Sequence, residues 1–323
     1  MFANSPTASS SYAFVLALTY AIVILGGNVV TGFLEEVNLA QGGLMAIGAY
    51  CATYLEARHM PLLLALVIGT FATACVGAAL SFAVVRLTGV YTALLTFSLS
   101  YAVPDLILYA ANYTGGGNGL ATPVDLRLFG APIGGTTPAT IWLVVAVFIL
   151  CGATFLSLGH GRPGRLMHAS KKRAFAASTF GINPRQVKWV SWVASSALCG
   201  LGGALYALVV GFIVPGQFTL TLSLYLLVGT LAGGARTAVG ALIGGGLVGV
   251  LPIVLSGDAG GTEPLLLGLL LLLVILFGTS GIWTRIEEGA VWIAGTWSIR
   301  RVREVAVSPP SGTGAARADG KQA

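Results

Sequence analysis

Few residues in this sequence can do acid–base, nucleophilic or metal chemistry, and their spacing argues against most of it. Cys51, Cys75, Cys151 and Cys199 all fall inside apolar stretches, and none has metal-ligand spacing. Cysteines so placed act as small hydrophobes. His59, His160 and His168 are scattered, so no metal site is expected. The adjacent Glu35 and Glu36 are the one candidate acid/base or metal pair, and no His, Cys or further carboxylate stands near them in the sequence. Asp105, directly after Pro104, is the one acidic residue well inside an apolar run. A carboxylate there is a functional candidate by default. It would be the protonatable group if the chain were a proton-coupled secondary transporter of a small polar solute, which is the alternative reading. No G-x-x-x-x-G-K-[ST] loop is present, so the chain does not hydrolyse ATP by that route.

What remains are polar and glycine-interrupted points in apolar segments, which suit passing a solute rather than transforming it. Asn38, Gln41 and Gly43 mark one such break and Gly233-Gly234 a second. Each is followed by a Gly-Ala pair, Gly48-Ala49 and Gly240-Ala241, a faint trace of an internal repeat. Thr92, Thr96, Ser98 and Ser100 offer hydroxyls along one segment, either to a solute or back to their own helix. Asn38, Gln41, Gly43, Thr92, Thr96, Asp105, Gly233 and Gly234 form the expected translocation path.

The elements that must position them are set by composition. Hydrophobic residues make up 56% of the 323 and charged residues 9%, with 45 glycines; mean hydropathy is +0.88. A soluble domain carries about 25% charged residues, so most of this chain is embedded in lipid. An all-α polytopic transmembrane bundle is expected, with membrane segments at 12–33, 39–54, 62–85, 90–111, 140–158, 187–210, 222–232, 238–255 and 264–277. That is about nine, the short 222–232 being a re-entrant candidate. No Lys or Arg precedes the first segment, so it reads as a retained span rather than a cleaved signal. With nine alternating segments and an external N-terminus, every Lys and Arg except Arg58 and Arg127 falls on the cytoplasmic side. The net charge of +6 is thus an orientation signal, not a nucleic-acid footprint. Residues 1–282 form the membrane domain, 161–189 its large basic cytoplasmic loop. Trp283, Trp292 and Trp297 alternate with charges over 283–305, as in an interfacial amphipathic helix against membrane lipid. Residues 306–323 have the composition of a disordered tail.

The loop carries the most specific pattern. Residues 168–179 suit a short helix; Gly181 suits its C′ position and Asn183-Pro184 ends it. Its small-residue run, Ala176-Ala177-Ser178-Thr179-Phe180-Gly181, resembles the coupling loop of ABC importer permeases. The likeness extends through Val37-Asn38-Leu39-Ala40-Gln41-Gly42-Gly43, through Gly89-Val90-Tyr91-Thr92-Ala93-Leu94-Leu95-Thr96, and through Thr114-Gly115-Gly116-Gly117-Asn118-Gly119-Leu120. Gly200-Leu201-Gly202-Gly203-Ala204-Leu205-Tyr206 continues it. In order and spacing these runs are similar to branched-chain amino acid ABC permeases of the LivM type. The sequence departs from that pattern at Lys171, Lys172 and Phe175, where relatives are acidic, and at Gly278-Thr279-Ser280-Gly281, where an Arg-Pro-x-Gly run is usual.

The resemblance implies a permease subunit without catalytic residues or cofactor of its own, ATP being used by partner subunits. Those partners would be a LivH-type permease, two cytoplasmic ATP-binding subunits and an extracytoplasmic substrate-binding protein, assembled in the bacterial inner membrane with the C-terminus cytoplasmic. His168, Lys171, Lys172, Arg173, Ala176, Ala177 and Gly181 would form the ATPase-coupling element. The solute class stays open among Leu/Ile/Val, urea, amides and aromatic acids.

Overall fold

The computed structural model describes residues 6–123, 126–128, 131–161, 164, 183–255 and 268. Eight helices of fourteen residues or more account for most of them. They are α1 (Pro6–Asn28), α2 (Gln41–Ala57), α3 (Leu62–Val84), α4 (Val90–Tyr109), α5 (Pro138–His160), α6 (Pro184–Val210), α7 (Leu220–Gly233) and α8 (Ala238–Leu255). The expected helical bundle is what forms. Among the described residues, six apolar helical stretches are long enough to cross a membrane. One of them joins α7 to the 3₁₀ turn Pro215–Gln217, so residues 222–232 belong to a 19-residue stretch, Pro215–Gly233. The expected segment at 264–277 and the interfacial and tail segments lie outside the described residues.

Helix starts follow caps rather than the first apolar residue. α5 begins two residues before its apolar run because Thr137 Oγ1 accepts the Thr140 N–H and Pro138 takes the first position. α6 begins at Pro184 for the same reason, with Asn183 Oδ1 accepting the Arg185 N–H at 3.1 Å. Proline costs nothing there, since its missing N–H has no helical partner anyway.

The bundle has a centre and a periphery. α6 packs on α1, α2 and α3, while α8 packs on α1 and α7. The apolar stretch that includes α1 is 83% buried, whereas that of α5 is 22% buried. α3, α4 and α5 therefore present Phe71, Phe82, Leu94, Trp142 and Leu150 outward. Apolar surface of that extent is what lipid requires.

Close crossings depend on glycine. A Cβ on Gly203 of α6 would overlap the Met45 carbonyl oxygen of α2, and one on Gly48 would overlap the Gly200 backbone. Small residues here let the backbones touch, which in lipid replaces the hydrophobic drive that is missing. Gly203→Val should force α2 and α6 apart. At an overpacking cost of about 1–3 kcal/mol, the detergent-solubilised protein should melt several degrees lower. Gly246→Val, where a Cβ meets open space, should leave the melting temperature unchanged.

Candidate functional site

The first helix ends beside the last turn of α3 and the first turns of α6. α1 widens into a π-helical turn, Val29–Leu34, and stops at Glu35, whose φ of 51° is left-handed. Residues 35–40 then fold back between the helices, so that Asn38 Nδ2 donates to Ser195 Oγ at 3.4 Å, about three turns into α6. α2 thus starts inside the bundle, with Asn38 and Gln41 fully buried.

A helix start in that position leaves N–H groups with no water to take them. Side chains take them instead. Asn38 Oδ1 accepts the Ala40 N–H at 2.9 Å, Thr96 Oγ1 accepts the Leu39 N–H at 3.2 Å, and Ser223 Oγ accepts the Gly42 N–H at 3.0 Å. Gln41 Nε2 donates to the Asn38 carbonyl at 3.2 Å, and Ser100 Oγ lies 2.6 Å from Ser223 Oγ. Five elements (the 35–40 segment, α2, α4, α6 and α7) are joined by this one network. Pro104 lies one turn beyond Ser100 in α4 and supplies no N–H to its carbonyl. Around the network, Asn28 Oδ1, Gln41 Oε1, Thr31 Oγ1 and Thr92 Oγ1 are buried without a hydrogen-bond partner among the described residues.

The second break meets the first from the other side. After Gly233, Gly234 adopts φ 108°, which an L side chain resists, and the chain turns into α8. Gly233 packs against Gly240 so closely that a Cβ would overlap the Gly240 carbonyl. Asn28 Nδ2 donates to the Thr237 carbonyl at 3.3 Å, and Arg236 Nε donates to the Gly32 carbonyl at 3.2 Å. The Arg236 guanidinium lies 3.7 Å from the Glu35 carboxylate, with both side chains about half exposed.

Of the expected path residues, the structure therefore brings Asn38, Gln41 and Thr96 into one network. Gly43 packs on the α4 backbone at Leu99 and Ser100, and Thr92 is buried close by on α4. Gly233 and Gly234 belong to the adjoining break. Asp105 does not join them; it is exposed on the outer face of α4. Ser98 is exposed too and donates to its own helix at Leu94. Ser195 and Ser223 were missed by sequence reasoning, although the Ser195-Ser196 pair and the series Thr219, Thr221, Ser223 are hydroxyls in apolar stretches of the kind flagged on α4. The expected coupling residues His168, Lys171, Lys172, Arg173, Ala176, Ala177 and Gly181 lie outside the described residues.

Glu35 and Glu36 face cations rather than a reaction centre. Glu36 Oε1 lies 2.6 Å from Lys188 Nζ, and its Oε2 accepts the Trp192 indole N–H at 3.2 Å. Lys188 Nζ also donates to the Leu87 carbonyl at 2.9 Å, tying α6 to the end of α3. Among the described residues no group of three or more His, Cys, Asp or Glu could hold a metal. Glu36→Gln should cost about 2 kcal/mol, read as a lower melting temperature, and Glu35→Gln under about 1 kcal/mol. Ser223→Ala should cost about 1–3 kcal/mol by stranding the Gly42 N–H, whereas Ser98→Ala should be silent in the same melts.

Comparison with known proteins covers all of this architecture. The family model described as branched-chain amino acid transport system / permease component matches residues 9–278. The permease protein LivM of the Escherichia coli (strain K12) high-affinity branched-chain amino acid transport system is 28% identical over 290 residues, covering 83% of this chain and 68% of the relative. The corresponding LivH protein of Salmonella typhimurium is 26% identical over 293 residues, covering 84% and 93%. No solved structure matches the chain. With both helix breaks and the network between them inside the matched region, the chain belongs to the branched-chain amino acid transport permease family.

Proposed function

We propose that this chain is the LivM-type membrane subunit of an ABC importer for branched-chain or related amino acids in the bacterial inner membrane. The observation that carries the reading is the family match over residues 9–278, which takes in every described helix apart from the first three residues of α1. The proton-coupled alternative does not fit a family of ATP-driven permeases, and its protonatable group, Asp105, stands apart from the buried network.

On this reading the subunit has no catalytic residue or cofactor. It pairs with a LivH-type permease, two cytoplasmic ATP-binding subunits use the ATP, and a substrate-binding protein delivers the solute from outside. Nine segments cross the membrane, α7 with its 3₁₀ turn among them, and the C-terminus is cytoplasmic. This topology is supported by how the loops cluster: Glu36, Leu87 and Lys188 meet at one end of the bundle. Tyr54 meets Tyr113, and Leu120–Ala121 pairs with Phe212–Ile213, at the other. Residues 161–189 are then the ATPase-coupling loop, with His168, Lys171, Lys172, Arg173, Ala176, Ala177 and Gly181 as its contact residues. Its Lys171-Lys172 pair calls for acidic residues on the facing ATPase surface.

Coupling reaches the path through the start of α6, whose first residues, Pro184 to Trp189, are the end of that loop and are held to Glu36 by Lys188. Movement there pulls on the 35–40 segment and so on Asn38, Gln41, Gly43, Thr92 and Thr96. Hydroxyls and amides in this segment can exchange partners, because several of their acceptors are unused.

In a strain lacking this subunit, the restored gene should support uptake of labelled leucine in preference to labelled urea. Deleting residues 176–181 should abolish that uptake and the transport-stimulated ATPase activity while leaving the protein in the membrane. Undiminished uptake by the deletion protein would overturn the coupling assignment, and preference for urea would overturn the solute class.

A further inference from the structure

Where α3 ends and α6 begins, the structure holds a cavity of about 470 Å³ lined by Phe82, Val85, Arg86, Arg185, Gln186 and Trp189. Its charges are not spent on the fold. Lys188, the nearest other cation, is occupied by Glu36 and the Leu87 carbonyl. Arg86 and Arg185 are exposed, and neither guanidinium has an acceptor among the described residues. The Trp189 indole N–H is likewise without an acceptor among them. The start of α6 adds the partial positive charge of a helix N-terminus.

We propose that this cavity binds the head group of an anionic phospholipid. Two guanidinium forks suit phosphate oxygens, which they engage in paired hydrogen bonds. Position favours lipid over a soluble anion. Arg86 follows the last turn of α3 and Arg185 is the second residue of α6, so both lie where membrane-spanning helices leave the hydrocarbon. The apolar wall points to an acyl chain as well. Phe82 and Trp189 rings lie 6.2 Å apart. From Phe82 an exposed stripe runs along α3 through Ala79 and Cys75 to Phe71. Those positions share one helix face, and the two small side chains between the rings leave a shallow track for a lipid tail.

The site needs only that the chain sits in a bilayer, so its test stands or falls separately from the solute assignment. The full chain is reconstituted in phosphatidylcholine nanodiscs with increasing mole fractions of phosphatidylglycerol, and its melting temperature is followed. The natural sequence should be stabilised saturably, and Arg86→Gln combined with Arg185→Gln should lose that response. In case the double variant does not fold, phosphatidylglycerol with brominated acyl chains supplies a second measurement. It should quench the fluorescence missing in Trp189→Phe more than brominated phosphatidylcholine does at the same mole fraction. Equal quenching by both lipids, an undiminished response in the double variant, or the same stabilisation by inorganic phosphate in pure phosphatidylcholine would overturn the proposal.

Discussion

A helix that starts inside an apolar bundle exposes N–H groups where no water can take them, and the centre of this protein is organised around that constraint. An unsatisfied backbone group in hydrocarbon costs several kcal/mol, so the start of α2 exists only because hydroxyls are delivered to it. They come from α4 and α7, and Asn38 adds its own carboxamide oxygen. Each helix that supplies an accepting hydroxyl is thereby fixed in register against residues 38–42. The hydroxyls cannot be replaced piecemeal, since Thr96 and Ser223 each serve a specific N–H while also bonding elsewhere. Irregular backbone at this depth is tolerated in membrane proteins where it is enclosed by protein, which is the situation of Asn38 and Gln41.

Packing around the network follows from the same economy. Lipid gives helices little reason to associate, so close approach and dispersion have to hold them. α6 touches α2 through Gly200 and Gly203, and α7 touches α8 through Gly233 and Gly240. Backbones in direct contact interlock fewer side chains than a ridge-and-groove interface does. Helices joined this way can shift relative to one another with few rotamer changes. The specificity of the arrangement then comes from polar contacts, notably Glu36 with Lys188 and Trp192, rather than from the shapes of large side chains.

How much of this could be read in the sequence depends on the kind of signal involved. Six of the expected spans were legible because about twenty apolar residues in a row have few other uses, and the two breaks because Asn, Gln and paired glycines interrupt apolar runs visibly. Helix starts were displaced at α5 and α6, since a cap and a proline, not hydropathy, set them. Asp105 shows the limit of that signal: sequence shows that a carboxylate lies within a span but not which face of the helix it occupies, and the fold leaves this one exposed on α4. Ser195 and Ser223 were overlooked for the converse reason. A single hydroxyl most often bonds back to its own helix, and only the fold shows that these two face the backbone or side chain of another segment.

The charges show why net counts mislead in such a protein. Arg86, Arg185, Lys188 and Arg236 all serve as one orientation signal when tallied, yet their surroundings differ. Lys188 is largely buried, with a carboxylate and a carbonyl on its ammonium, and it holds α6 to α3 and to the segment after α1. Arg236 is half exposed and spans to the Gly32 carbonyl, closing one break onto the other. Arg86 and Arg185 do neither and line a cavity at the edge of the bundle. Removing a cation that is paired in a low-dielectric setting strands its partner, whereas removing one at the rim leaves the fold as it was. Stability should therefore depend on Lys188, while Arg86 and Arg185 are available to whatever the membrane or a partner places against them.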